Sequence, residues 1–356
     1  MIVLGIESSC DETAASVVED GYIVRSSIVA SQYELHEEFG GVVPEIASRA
    51  HEQHIIPVLR DAVDQAGVKL SDIDAIAVGH RPGLIGSLLV GLSAAKALAW
   101  SLGVPMVGVD HVHAHLYAGM LGRKIPAFPA LGVVISGGHT SLYRMESEMK
   151  LARLGATIDD AIGEAFDKVA MILGLGHPGG PKIDALAREP GADDRAFDFP
   201  VSRLGKESLD FSYSGLKTSV LYTAKGRPAP RAIKGKPPLP KQEVPELTDD
   251  RKRDIAASFQ RAAVRALTLK IGRAIEQASA AGKPFETLIV GGGVSANTLA
   301  RSEMNRIADE HGLELIIPEM EHCVDNAAMI AGLGNRLLEA GQRDDFTLSA
   351  VPTAAC

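Results

Sequence analysis

Cysteine is scarce: Cys10, Cys323 and Cys356 are the only three in 356 residues, and no two have metal-ligand or redox-motif spacing. An odd, widely spread set excludes a disulfide framework and a CxxC zinc site, leaving reduced thiols as the expectation. Aromatic residues are also few, at 4%, while glycine reaches 36 residues, a balance that suits α/β proteins built from Val/Ile/Ala strands and glycine turns. No run of about 18 apolar residues occurs, and Met1–Ile6 leads straight into Glu7-Ser8-Ser9 rather than into a small-residue cleavage site. The expectation is a cytoplasmic protein with no membrane association. An excess of positive charge is missing too, since the formal net charge is −9. That excludes a protein gripping nucleic acid with its whole surface but leaves room for a local basic patch. Lys217, Lys225, Arg227, Arg231, Lys234, Lys236, Lys241 and Arg251-Lys252-Arg253 form the best such stretch.

At 46% hydrophobic and 23% charged, the chain is long enough for two packed domains. Residues 2–6 read as a buried strand, 7–13 as a polar turn, and 14–18 and 23–30 as further strands of a meander. The same grammar returns in Leu131–Ile135, a turn at Ser136-Gly137-Gly138-His139-Thr140, and Ser141–Arg144. Two copies half a chain apart suggest an internal duplication. Apolar spacing predicts helices over 44–64, 84–102, 158–173, 182–188 and 255–281, with strands at 73–78, 105–109 and 287–290. The fold expected is α/β, two lobes facing across a cleft. Residues 224–248 carry six prolines and several lysines and form a surface insertion rather than a domain.

Asp110-His111-Val112-His113-Ala114-His115 places three of eleven histidines within five residues. On a helix, His111 and His115 share a face, as two imidazoles binding one metal do. A zinc protease needs Glu at the second position to activate water, and Val112 stands there. Two imidazoles want an oxygen donor to complete a facial set. His322-Cys323-Val324-Asp325-Asn326 offers the best, although Asp325 is equally suited to cap the helix that follows.

Glycine turns supply the second theme. Ser136–Thr140 presents small residues whose N–H groups can approach an anion. Gly291-Gly292-Gly293-Val294-Ser295-Ala296-Asn297 has the order strand, glycine loop, helix, but is neither a Walker A loop nor a dinucleotide fingerprint. His177-Pro178-Gly179-Gly180-Pro181 lies between two helices, near Asp167 and Asp184, carboxylates suited to accept hydrogen bonds from ribose hydroxyls.

Six motifs together, Gly5–Thr13, Gly41–Arg49, His111–His115, Ser136–Thr140, Phe211–Lys217 and Gly291–Val294, strongly resemble the tRNA threonylcarbamoyladenosine transferase (TsaD) family, once described as O-sialoglycoprotein endopeptidases. The resemblance spans Met1 to about Leu338. It implies two duplicated actin-like (ASKHA, RNase H-like) lobes around a central cleft. The first is 1–130 completed by the C-terminal helix 326–356; the second is 131–325 with the insertion 224–248. It implies a divalent metal, iron(II) ahead of zinc, on His111, His115 and Asp325. It also implies an adenylate held by Val134, Ile135, Ser136, Gly137 and Gly138 and by Asp167, Gly180, Asp184 and Asn297.

The reaction implied is transfer of threonylcarbamoyl from threonylcarbamoyl-AMP to N6 of the adenosine beside the anticodon in tRNAs reading codons that start with A. Implied partners are tRNA, a paralogous actin-like protein (TsaB), a small ATPase (TsaE) and a separate synthase (TsaC) that supplies the adenylate. Glu12, beside the first polar turn, is a candidate proton acceptor or positioning group, or simply a turn carboxylate. The insertion looks longer than the family's usual connection, and its basic residues are candidates for contact with tRNA. Rival readings are a metalloprotease, which Val112 argues against, an O-carbamoyltransferase on the same fold, and a non-catalytic scaffold.

Overall fold

The computed structural model describes residues 1–123, 125–227 and 246–352. Strand β1 (Ile2–Glu7) forms an antiparallel meander with β2 (Glu12–Glu19) and β3 (Ile23–Ser31). On its other edge β1 pairs in parallel with β4 (Ala75–Arg81), and β4 with β5 (Met106–Asp110). The second sheet repeats this plan. β6 (Ala130–Ile135), β7 (Thr140–Met145) and β8 (Leu151–Ala156) form the meander, and β9 (Thr287–Gly291) and β10 (Glu314–Ile316) add in parallel. The orders β3-β2-β1-β4-β5 and β8-β7-β6-β9-β10 are identical, so the duplication expected from two strand pairs extends to all five strands.

Helices α1 (Tyr33–Glu37), α2 (Pro44–Ala66), α3 (Ile85–Leu102) and α4 (His111–Ala118) follow in the first half. The second half holds α5 (Ile162–Leu173), α6 (Gly179–Ala187), α7 (Ser214–Lys225), α8 (Asp249–Ala280), α9 (Thr298–His311), α10 (Met320–Cys323) and α11 (Ala327–Glu339). α2 starts with Pro44, whose missing N–H costs nothing at a first turn, and stops at Gly67 in the left-handed region. Of the Pro/Lys-rich insertion, residues 228–245 lie outside the described residues. α3 is long and apolar enough by composition to cross a membrane, although Lys96 interrupts its apolar run; here it packs on β4 and α2.

One core fills the second lobe, with Phe166 and Phe259 edge to face at 5.0 Å, and another lies between the first sheet and helices α2 and α3. A third joins the two sheets through Leu116 of α4, Val134 of β6, Ile289 of β9 and Met329 of α11. Leu116 is fully buried and sits against Gly132 of β6, a contact that helps fix α4 between the lobes. Burial of one such side chain contributes about 1.5–3 kcal/mol. α11 returns from the second sheet to pack on β1, β2 and β4.

Candidate functional site

The site begins where β5 becomes α4. Asp110 ends the strand and caps the helix, its Oδ1 accepting the N–H groups of Val112 at 3.0 Å and His113 at 3.2 Å. The helix therefore starts at His111 and brings His115 onto the same face one turn later, ring centroids 4.6 Å apart. His113 faces away, edge-on to Tyr143 at 5.7 Å. Asp325 arrives from the junction of α10 and α11. Its Oδ1 lies 3.2 Å from His115 Nε2 and 3.6 Å from His111 Nε2. The capping alternative is resolved by its neighbour: Asn326 caps α11 by accepting from Met329 N–H at 3.0 Å, which frees Asp325 for the cleft.

His111, His115 and Asp325 each place a ligand atom within 4.8 Å of the others. Both nitrogens of His115 are buried without a hydrogen-bond partner among the described residues, although Asp325 is close. Orphaned buried nitrogens are costly unless something else coordinates them. A two-nitrogen, one-oxygen donor set suits iron(II) or zinc and leaves positions open. These residues fit a metal.

Electrostatics agree with a site built for positive charge. Burial of the His111 ring disfavours its protonated form, but the Glu7 and Asp325 carboxylates outweigh this and raise its pKa to about 9. Burial alone would raise Asp325; the His111 and His115 imidazoles instead hold it well below the usual carboxylate range. His139 is kept neutral, its pKa lowered to about 4 by burial and by the neighbouring His111 and His115.

These groups open into a cleft of about 630 Å³ lined by both lobes. Glu12, Ser136, Gly137, Gly138 and Asp167 line it. Gly137 and Gly138 are exposed with open space around them, so their N–H groups are accessible. Val134 and Ile135 are wholly buried in β6 and contribute shape rather than side-chain contacts. Asp167 Oδ1 accepts from Gly179 N–H at 2.7 Å, and burial raises its pKa despite that bond. Gly180 lies in the first turn of α6, with free space where a side chain would stand.

Asp184 and Asn297 are joined in a buried network behind that turn. Asp184 Oδ1 accepts from Thr298 Oγ1 at 2.7 Å and Gln260 Nε2 at 3.2 Å. Asn297 donates to Gln260 Oε1 at 2.8 Å and caps α9 through Ala300 N–H. Glu12 is 6% exposed, beside Asp11 and the Tyr33 hydroxyl. Burial, then the charges of Asp11 and Asp325, push its pKa well above the ordinary value.

Sequence reasoning missed Glu7, His139, Tyr33 and Gln260. The first two stand inside motifs that were already singled out; Tyr33 and Gln260 carry no sequence signal. The basic stretch is largely engaged where it is described: Lys217 pairs with Asp160 at 2.6 Å, Lys252 with Asp249 at 3.2 Å and Arg253 with Asp250 at 3.0 Å.

A family model described as TsaD, tRNA N6-adenosine threonylcarbamoyltransferase, matches residues 23–332. A tRNA N6-adenosine threonylcarbamoyltransferase of Trichlorobacter lovleyi is 47% identical over 353 residues, 99% of this chain and 96% of that one. Its counterpart in Symbiobacterium thermophilum is 48% identical over 351 residues, with the same shares covered. Among solved structures, HypF of T. kodakarensis aligns with 95% of this chain and 48% of its own at a TM-score of 0.57 and 17% identity. Component A of the Acidaminococcus fermentans (R)-2-hydroxyglutaryl-CoA dehydratase aligns with 96% of this chain and 100% of its own at a TM-score of 0.51 and 13% identity. These structural likenesses show the fold, two duplicated actin-like lobes. The match over nearly the whole chain shows the family: the chain belongs to the tRNA N6-adenosine threonylcarbamoyltransferases.

Proposed function

We propose that this enzyme moves the threonylcarbamoyl group from threonylcarbamoyl-AMP to the N6 amine of the adenosine on the 3′ side of the anticodon, in tRNAs reading codons that start with A. The observation that carries the reading is the convergence of His111, His115 and Asp325 on a glycine-lined cleft in a chain 47% identical, over 99% of its length, to a transferase of that name. In the step, the N6 lone pair forms a bond to the carbamoyl carbon. The bond from that carbon to the phosphate oxygen breaks, AMP leaves with the electron pair, and N6 gives up a proton.

The residues divide this work. Open N–H groups of Gly137 and Gly138 receive the phosphate, while Val134 and Ile135 and the Ser136 N–H bond to the His139 carbonyl at 2.8 Å hold the turn rigidly. Asp167 and Gly180 face the ribose, with Asp184 and Asn297 fixing the wall behind them. Glu12, whose proton affinity is raised by burial, takes up the N6 proton. A divalent ion on His111, His115 and Asp325, iron(II) ahead of zinc, would supply Lewis-acid polarisation of the carbonyl. The lobes are 1–130 with 326–356, and 131–325. The partners are a paralogous actin-like protein (TsaB), a small ATPase (TsaE) and a synthase (TsaC) delivering the adenylate, all in the cytoplasm with the tRNA.

The test is mass analysis of tRNA nucleosides after incubation with threonine, bicarbonate, ATP and the partner proteins. The expected result is threonylcarbamoyladenosine in the complete mixture and at least about a 100-fold lower rate with His115→Ala or Asp325→Ala. Unmodified tRNA in the complete mixture sinks the reading. Turnover of carbamoyl phosphate without tRNA would move the chain to the O-carbamoyltransferases.

A further inference from the structure

We infer that Glu7 is a positioning residue for the candidate metal site, holding His111 in the tautomer and orientation whose Nε2 faces the cleft. This rests on the metal reading above. Glu7 is the last residue of β1, fully buried, its backbone locked in register with Ala14 of β2. A buried carboxylate persists only when its oxygens are paired. Oε1 accepts the Ser9 N–H at 2.6 Å, and Oε2 lies 3.0 Å from His111 Nδ1. A carboxylate only accepts, so His111 Nδ1 carries the hydrogen and donates it. With Nδ1 committed, the lone pair of the neutral ring sits on Nε2, the atom that approaches Asp325. Carboxylate, histidine and metal in that order is how proteins fix ring orientation and raise ligand basicity.

The fold makes room for this carboxylate. A Cβ on Gly79 of β4 would stand 2.5 Å from Glu7 Oε2, so any side chain there would push the carboxylate off His111. Ser9 Oγ is a second, longer neighbour of Nδ1 at 3.3 Å. The two histidines are therefore unequal. His111 is held by a charged hydrogen bond from the sheet of the first lobe, whereas His115 Nδ1 has no partner among the described residues. Glutamine is a discriminating replacement because its single oxygen cannot accept from both Ser9 and His111, and its NH2 faces one of those N–H groups.

The full-length protein is prepared metal-free as wild type, Glu7→Gln, Gly79→Ala, His111→Ala and the Glu7→Gln/His111→Ala double variant. Cobalt(II) binding is followed by its visible d–d absorption, zinc affinity by competition with a chromophoric chelator, and metal-free folding by thermal unfolding. Glu7→Gln and Gly79→Ala are expected to weaken metal binding about 10- to 100-fold and to alter the cobalt spectrum. In the His111→Ala background Glu7→Gln is expected to change nothing further. Wild-type affinity and spectrum in Glu7→Gln overturn the inference, as does an equal loss with and without His111. In the zinc-loaded wild type, nitrogen NMR of the histidines is expected to find the His111 proton on Nδ1; a bare Nδ1 overturns the inference even if the variants fail to fold. If wild-type protein binds neither ion, or binds both equally after His115→Ala, the metal reading itself has failed, a result distinct from any of these.

Discussion

His51 illustrates how a single buried side chain supports the turn that carries Glu12. It is fully buried, with Nε2 2.9 Å from the Cys10 carbonyl and Nδ1 2.7 Å from Thr13 Oγ1. The carbonyl only accepts, so Nε2 carries the hydrogen and Nδ1 accepts from the Thr13 hydroxyl. Both bonds brace the turn that presents Glu12. Burial lowers the pKa of His51 below its ordinary value of 6.5. The unfolded chain then binds the proton more readily than the folded one, so this contribution is whole above pH 6.5 and is lost as pH falls through the depressed folded value. Urea unfolding at pH 7, 6 and 5 should show His51→Gln about 1–2 kcal/mol less stable than wild type at pH 7. The gap should narrow toward pH 5. An unchanged gap would mean that His51 does not titrate as its burial implies.

At this scale the sequence was informative where chemistry forces an unusual pattern. Two histidines a turn apart, with a carboxylate after a strand, are rare enough to stand out, and the structure brings His111, His115 and Asp325 together. Glu7 was illegible as a partner because a glutamate in a polar turn looks like any other. What marks it is the space left by Gly79 on a different strand. Asp184, which read as a ribose acceptor, and Asn297, which the resemblance placed against the adenylate, both make bonds to Gln260 and to the start of α9 that the sequence did not announce.

Among elements, most strands and long helices were legible from apolar periodicity, but β8 and α7 were not. α1 and α10 were not, being only five and four residues long. The α5 region departs instructively: periodicity predicts a helix from 158, but it begins at Ile162. The Thr157 hydroxyl bonds the Asp160 carbonyl at 2.7 Å, and Asp159 turns away to accept the hydroxyls of Ser212 and Ser214, both at 2.6 Å. Side-chain bonds of this kind compete with helix formation. They also explain part of the Phe211–Lys217 motif, whose serines tie the start of α7 to the residues before α5.

α4 carries both histidines, and its seat on the second sheet depends on Gly291. A Cβ there would fall 2.0 Å from the His115 carbonyl oxygen, a backbone atom unable to move alone. Gly291→Ala is expected to cost about 1–3 kcal/mol through overpacking and to weaken metal binding at least tenfold by shifting His115. Chemical denaturation and cobalt titration of the same sample read the two effects. Lost stability with an unaltered cobalt spectrum would show that α4 yields without moving its ligands.

For the whole molecule, a cavity more voluminous than the candidate cleft lies elsewhere. A groove of about 1200 Å³ runs between α2 and α3 on the outer face of the first lobe, lined by Leu4, Ile55, Leu59, Val63, Leu89 and Leu98 among others. Ile56 is 64% exposed, Leu89 49% and Trp100, the one tryptophan, 76%. Apolar side chains of this size left in water along a groove mark an association surface. The face lies remote from Glu12 and Asp325, which suits a partner acting without entering the cleft. The actin-like partner proposed above is the occupant this face would take. Ile56→Glu/Leu89→Glu would place two charges in that interface, and about 2 kcal/mol or more per central apolar anchor corresponds to at least a 100-fold weaker complex for the pair. Analytical ultracentrifugation with the actin-like partner is expected to show that loss, with metal content and metal-free unfolding temperature close to wild type. A complex of undiminished affinity would remove this face as the partner's docking site.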